Sequence, residues 1–354
     1  MGLRFGGDDA PRKGREKRGV TALAAGSDAG SVGPVNVLVT GGAGYLGSAL
    51  ASQLLASGHR VRLLDALLHG GEAVLPLYHS EGFEFQRGDV RNAADISRSL
   101  EGIDAVVHLA AIVGDPACRR DPNLAEATNH AASLALFARA QRSAKRFVFA
   151  STCSNYGRRD DESFVTEEAS LSSLSVYAET KVATELDLLA ASAEADAPSV
   201  TVLRFATLFG LSGRARFDLT VNEFAAVLAL GQKLEVYGEQ FWRPYIHVAD
   251  AARAVRLVLE APHESVHGEV FNAGDTELNY RKADLIELLR ARLGDVDVSF
   301  VEVAEDPRDY RVSSEKIAAR LGFRASRTIS DGLNEVIDAV QKGVVDPFAP
   351  AYRN

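Results

Sequence analysis

Apolar residues come in short bursts along this chain, and the bursts alternate with longer stretches that repeat every three or four positions. "VNVLVT" (35–40), "RVRLLD" (60–65), "FEFQRGD" (83–89), "DAVVHLA" (104–110), "RFVFAS" (146–151) and "SVTVLRFA" (199–206) read as strands. Each run is too short for a buried helix and is bounded by breaks in the pattern. "GYLGSALASQLLASG" (44–58) carries helical spacing and ends at Gly58, and similar spacing predicts helices near 92–100, 122–143 and 176–193. Strand, helix, strand in this order predicts a doubly wound parallel sheet, because each crossover lays a helix over one face. Past about Leu211 the alternation loosens. Helices near 219–230, 249–260, 281–292, 314–321 and 331–341 mix with short strands there. That predicts a smaller lobe on the carboxyl edge of the sheet, where α/β folds take ligands. The expected class is α/β, with the main domain over 35–210 and a mixed lobe over 211–354 interleaved with it.

Residues 1–34 break the pattern. "DDAPRKGREKRG" is charged, "AAGSDAGSVGP" is small and flexible, and neither is amphipathic, so a disordered tail is expected. It contains no apolar core of a secretory signal. Thirty-nine basic and 48 acidic residues leave a net charge of −9, which argues against nucleic acid as a partner. No apolar run approaches the roughly 18 residues that a membrane span needs. Two cysteines, Cys118 and Cys153, cannot build a disulfide framework, which points to a reducing, cytoplasmic setting. No metal site is expected.

The candidate chemistry begins where the first strand hands over to its helix. "TGGAGYLG" places Gly41, Gly44 and Gly47 three apart. The first allows a tight turn, the second lets the backbone approach a pyrophosphate, and the third lets the helix pack on the strand. The free N–H groups of the helix then face the anion. Asp65 ends the second strand, where a carboxylate accepts from the hydroxyls of an adenosine ribose and repels a 2′-phosphate. Ala66, Leu67 and Leu68 follow it, with no basic residue, so NAD is expected over NADP. Asp89, after the third strand, is a candidate for the adenine edge.

"YAETK" puts Tyr177 and Lys181 on one face of a helix. A phenol with an ordinary pKa near 10 is a poor base at neutral pH. A lysine ammonium and an oxidised nicotinamide both favour the phenolate. "STCSNYG" (151–157) follows the fifth strand and places the Thr152 hydroxyl at the carboxyl edge, where it can bind a reacting oxygen.

With these motifs the chain resembles the extended short-chain dehydrogenases/reductases of the nucleotide-sugar epimerase/dehydratase family. "TGGAGYLG", "LLD", "GDVR", "HLAA" (108–111), "STCSNYG", "YAETK", "LRFATLFG" (203–210), "RPYIHVADAARA" (243–254), "FNAG" (271–274) and "KIAARLGF" (316–323) carry the resemblance. It implies a Rossmann-type domain holding NAD and a C-terminal lobe holding a nucleotide-diphosphate sugar. It also implies a homodimer through the helices at 122–143 and 176–193. Carried over by motif, Gly41, Gly44, Tyr45, Leu46, Asp65, Asp89, Val90, Leu109, Ala110, Ala111, Tyr177 and Lys181 would bind the cofactor. Thr152, Tyr177 and Lys181 would be catalytic. Thr152, Thr207, Arg243 and Arg308 would meet the substrate, with Arg311 close enough to compete for the last role. His108 reads as structural.

Three departures stand out. The family's 4,6-dehydratases carry an Asp–Glu pair after the catalytic Thr, where this chain has Cys153 and Ser154. Water elimination needs an acid and a base at adjacent carbons, so dehydration is disfavoured. Thr207 stands where many epimerases have Asn, and Pro244 where many relatives have Asp. Cys153 and Cys118 are candidate acid/base groups if their environment lowers the thiol pKa, and small apolar packers otherwise. The expected activity is an NAD-dependent epimerase acting on a nucleotide-diphosphate sugar through a transient ketone. A 4-keto-sugar reductase is the nearest alternative.

Overall fold

In the first strand, β1 (Asn36–Thr40), Val37, Leu38 and Val39 are fully buried, because helices cover both faces of the sheet it joins. The computed structural model describes residues 33–159, 163–194, 197–303 and 309–354. Most of the tail expected over 1–34 lies outside them. Chain order continues with α1 (Tyr45–Ala56), β2 (Arg60–Asp65), β3 (Phe83–Arg87), α2 (Ala93–Ser99) and β4 (Ala105–His108). Then come α3 (Asp115–Arg120), α4 (Pro122–Glu126), α5 (Ala132–Ala140), β5 (Arg146–Thr152), β6 (Phe164–Val165), α6 (Val176–Ala191) and β7 (Ser199–Phe205). The remainder supplies β8 (Thr207–Phe209), α7 (Thr220–Ala229), β9 (Leu234–Tyr237), β10 (Trp242–His247), α8 (Val248–Glu260), α9 (His263–Val266) and β11 (Glu269–Ala273). It closes with β12 (Asn279–Arg281), α10 (Lys282–Leu293), β13 (Val298–Val301), β14 (Arg311–Val312), α11 (Glu315–Leu321) and α12 (Ile329–Gln341).

Seven strands share one parallel sheet in the order β11-β7-β5-β4-β1-β2-β3. The reversal between β1 and β4 makes the switch point of a Rossmann-type fold. Alternate residues serve opposite layers. Val37, Val39, Val61 and Leu63 pack with α1 and α8 through Leu50, Leu54, Val255 and Val258. Leu38, Leu64, Phe147 and Phe149 pack with Leu136 and Phe137 of α5 and Leu188 of α6 on the other side. A third cluster joins α7, α10 and α12 through Phe224, Leu285, Leu289, Val336 and Ile337.

Two features differ from the sequence expectation. The helix predicted over 122–143 is three pieces: α4, a wide turn over Ala127–Ala131, and α5. The wide turn carries Asn129, whose amide holds both backbone groups of Ile112 at 2.7 and 3.0 Å. The main sheet also gains β11 as a seventh strand, whose register on β7 runs from Glu269–Thr201 to Ala273–Phe205. Its five residues follow a long excursion through the lobe, so no local alternation of strand and helix announces it.

Candidate active site

Gly41 sits at φ +71°, in the left-handed region that favours glycine, and a side chain there would come within 2.8 Å of the Ala110 amide. The Leu109–Ala111 segment after β4 thus runs against the glycine turn. A side chain on Gly47 would meet Gly41 O at 2.3 Å, which is why α1 starts so close to β1. Gly44 caps α1 with no side-chain bond, and the first turn holds no acid. Its leading amides are therefore left for an anion. Asp65 is oriented for a diol: Oδ2 accepts from Ala43 N at 3.0 Å and Oδ1 from Leu67 N at 2.7 Å. Leu67 takes φ 59°, strain for a residue with a side chain, at the loop that closes this corner. These features fit a dinucleotide.

Other expected cofactor residues are placed differently. The Tyr45 hydroxyl is buried and donates to Gly210 O at 2.7 Å, so its ring ties α1 to the segment after β8, leaving its backbone amide for the trough. Leu46 is half-buried and packs against the core. Val90 turns its side chain into the core layer beneath the sheet. Asp89 is engaged by Arg91 at 2.5 Å, which holds its carboxyl below the usual range.

Thr152 ends β5 in extended conformation and lies 9% exposed, its hydroxyl accepting from Ser154 N at 3.1 Å. Ser175 caps α6, which starts one residue before the half-buried Tyr177. Burial raises the Tyr177 phenol above its ordinary value; Arg216 pulls it down, and Cys118 and Asp115 push it up. Lys181 is 2% exposed, donates to Ala150 O at 2.8 Å and lies 4.7 Å from the Phe149 ring centre. Burial lowers its ammonium to about 8. The positive charge of Arg216, a residue the sequence reading passed over, favours the Tyr177 phenolate against its burial.

The cysteines answer as packers. Cys153 follows Thr152 but turns the other way, and its thiol donates to Arg204 O at 3.1 Å. It packs among Tyr156, Val165, Tyr310 and Val312, where burial drives its pKa far up. Of the two readings left open at 153, this placement favours the packer, because a strand end sends successive side chains to opposite faces. Cys118 is fully buried, donates to Ile112 O at 3.3 Å, and is raised by burial and then by Asp115. Neither site favours a thiolate at neutral pH. His108 bonds Thr40 and Ser133, each at 2.7 Å, and is structural as expected.

On the lobe side, Arg243 is 7% exposed and follows Trp242, over whose ring Arg281 and Arg311 lie at 5.3 and 5.2 Å. Arg311 also covers Phe164 at 5.0 Å. Arg308 lies outside the described residues. Thr207 opens β8 opposite Tyr245 of β10.

Behind the site lies a buried network. Glu185 is fully buried and pairs with Arg204, itself 4% exposed. Glu185 accepts from Ser151 Oγ at 2.9 Å, and Arg204 donates to Tyr156 Oη at 2.9 Å, which donates in turn to Asn272 at 2.6 Å. Tyr177, Lys181 and Glu185 recur every four residues, a spacing that marks Glu185 as sharing their face.

The profile described as the NAD dependent epimerase/dehydratase family matches residues 37–274. The chain is 29% identical over 312 residues to a UDP-glucose 4-epimerase of Corynebacterium glutamicum, covering 83% of this chain and 92% of that one. It is 30% identical over 330 residues to a dTDP-glucose 4,6-dehydratase of Streptomyces griseus, covering 89% and 98%. Among solved structures, the UDP-glucuronic acid 4-epimerase of Bacillus cereus with UDP-glucuronic acid and NAD superposes at TM-score 0.79 and 26% identity, covering 88% and 100%.

Proposed function

This chain belongs to the NAD dependent epimerase/dehydratase family, and within it we propose that it is an epimerase of a nucleotide-diphosphate sugar acting through a transient ketone. The observation that carries this reading is the position after Thr152. A dehydratase needs an acid there, and this chain has a buried thiol turned away from the cleft and bonded to Arg204 O. Thr152, Tyr177 and Lys181 remain, which is enough for oxidation and reduction at one carbinol carbon.

In this scheme Tyr177 removes the proton of a sugar hydroxyl and returns it after the sugar face is exchanged. Arg216 and the charge of the bound cofactor favour the phenolate it needs. Thr152 holds the reacting oxygen. Lys181, anchored on Ala150 O, holds the nicotinamide ribose. Gly41–Leu46 and Asp65 would hold the pyrophosphate and the adenosine ribose of NAD, whose nicotinamide would supply a reversible hydride acceptor. Residues 35–210 carry this chemistry and 211–354 the sugar nucleotide, with Arg243 and Arg308 on its diphosphate. Pairing of two copies over 122–143 and 176–193 is supported by Leu186 of α6, 56% exposed.

The test is turnover of UDP-glucose, UDP-glucuronic acid and dTDP-glucose in deuterium oxide without added nicotinamide. An epimer formed with bound NAD supports the reading. Protons retained on every carbon place the inversion at the oxidised carbon, and deuterium at C3 or C5 places it at a neighbour. A 4-keto-6-deoxy product overturns it, as does turnover seen only when a 4-keto sugar nucleotide and stoichiometric NADH are supplied.

A further inference from the structure

The segment between β8 and α7 crosses the cofactor trough. At Gly210 it is fixed to the start of α1: Gly210 O accepts from Tyr45 Oη at 2.7 Å and from Asn222 Nδ2 at 3.0 Å, and Gly210 N donates to Asn222 Oδ1 at 2.9 Å. At Gly213 it lies against the stretch after β2, where a side chain would meet Ala73 O at 3.1 Å. One end thus rests beside the uncapped amides of α1 and the other beyond Asp65. The segment therefore runs between the start of α1 and the stretch after Asp65, the two features proposed for the dinucleotide.

Arg214 follows directly and is 6% exposed. Its Nε donates to Ala351 O at 3.2 Å, and its Nη2 to Arg353 O at 3.3 Å and Asn354 Oδ1 at 2.8 Å. All three acceptors are neutral. Among the described residues it has no carboxylate partner, and its Nη1 has no hydrogen bond. Arg216, two residues on, is paired with Asp218 by contrast. A buried guanidinium without a counter-ion is costly, and the chain nonetheless fixes this one with three bonds.

We propose that Arg214 is a diphosphate-binding residue of the trough, presented by the 210–218 segment and held in place by residues 351–354. The inference rests on the family reading above and extends it to a residue outside the motifs. A guanidinium suits the task because its planar fork matches phosphate oxygens two at a time. The surroundings agree. Burial, and then the like charge of Arg216, lower Arg214 to about 10, with Asp218 and Asp65 only partly offsetting them. His69, on the loop after Asp65, is lowered by burial and by the same two arginines. Arg214 is thus the cation of this cluster that has no carboxylate bonded to it among the described residues, while Asp218 pairs with Arg216. Two sources share that chemistry: the pyrophosphate of NAD and the diphosphate of a sugar nucleotide.

The experiment is calorimetric titration of the cofactor-stripped full chain with NAD, adenosine, UDP and dTDP, for the parent, for Arg214→Met and for a chain ending at Ala349. The expected result is NAD binding at least tenfold weaker in both variants, with adenosine unchanged. A tenfold loss confined to UDP or dTDP supports the same residue with the sugar nucleotide as the source. NAD, UDP and dTDP all bound as in the parent, with a lower Tm alone, overturns the proposal and leaves Arg214 a clasp for residues 351–354. A parent that binds neither NAD nor either nucleotide overturns the family reading beneath it.

Discussion

Removing the carboxylate of Glu185 should be among the most damaging single changes in this protein. The side chain is fully buried beside Arg204, whose own exposure is 4%. Glu185→Ala leaves that guanidinium buried and still charged, because the ordinary arginine pKa lies far above neutral pH. Stranding one member of a buried pair costs about 3–5 kcal/mol. Ser151 Oγ also loses its acceptor at 2.9 Å, which adds about 1 kcal/mol. Against these, Tyr156 Oη and Glu167 O still accept from Arg204, at 2.9 and 3.0 Å, and spare part of the cost. A net loss of about 4 kcal/mol is expected, a fall in Tm of roughly 8 °C at about 2 °C per kcal/mol for a large domain.

The assay is thermal unfolding of the NAD-loaded protein, followed by circular dichroism, for Glu185→Ala, Arg204→Met and the double variant Glu185→Leu/Arg204→Met. Both singles should fall together. The double should recover more than half of the loss, because apolar residues of similar volume replace a buried pair at little cost. A single variant within about 1 kcal/mol of the parent would refute the reasoning, since surface-like substitutions fall in that range. So would a double variant that merely adds the two losses, because that would show no coupling between the two side chains.

Four further outcomes are expected. Tyr177→Phe should lower turnover by at least about 100-fold with NAD still bound, because only proton transfer is removed; near-parental turnover of the active sugar nucleotide would sink the mechanism. Cys153→Ser should cost about 1 kcal/mol and leave turnover within about twofold, since a hydroxyl can also donate to Arg204 O; loss of solvent-deuterium exchange alone would restore the thiol to the chemistry. Asp65→Ser should narrow the preference for NAD over NADP, read by titrating each against both proteins, because it removes the acid that repels a 2′-phosphate. His108 is lowered by burial, and then by Lys181, to about 3 from 6.5, so between those pH values the unfolded chain binds one more proton. Stability should therefore fall as pH drops below about 6.5, by at most about 1.4 kcal/mol per unit from this group. Urea titrations at pH 7 and pH 5 should show a smaller drop in His108→Gln, and an identical drop would remove His108 as the cause.

What could be read ahead of the structure was whatever one stretch of chain decides alone. Gly41, Gly44 and Gly47 are legible because a tight turn, a close approach and a helix contact all fall within seven residues. Tyr177 and Lys181 are legible because a helix brings every fourth residue to one face. The parallel sheet followed from its alternating runs, except for β11, whose partner β7 lies across the whole excursion of the lobe. Details that were not legible share that cause. Tyr45 matched a cofactor motif, but its hydroxyl is claimed by Gly210, 165 residues away. Cys153 admitted two readings, and the direction of its side chain depends on Arg204, 51 residues on.

Distance along the chain also explains why Glu185, Arg204 and Arg214 were missed. Each is a charge that makes sense only once its surroundings are known. By sequence alone Glu185 is one acid on a helix, with solvation as its default; burial turns it into half of an ion pair, because a carboxylate cannot be taken out of water unaccompanied. The same constraint separates the arginines of the 210–218 segment. Arg216 found Asp218 two residues away and is paired locally. Arg214 found only amide and carbonyl oxygens 137 to 140 residues away. Its hydrogen bonds all go to neutral acceptors, and the charges of Asp218 and Asp65 offset it only in part. With the uncapped start of α1 on one side and Asp65, the acid proposed for the ribose, on the other, that is the arrangement an anionic ligand would complete.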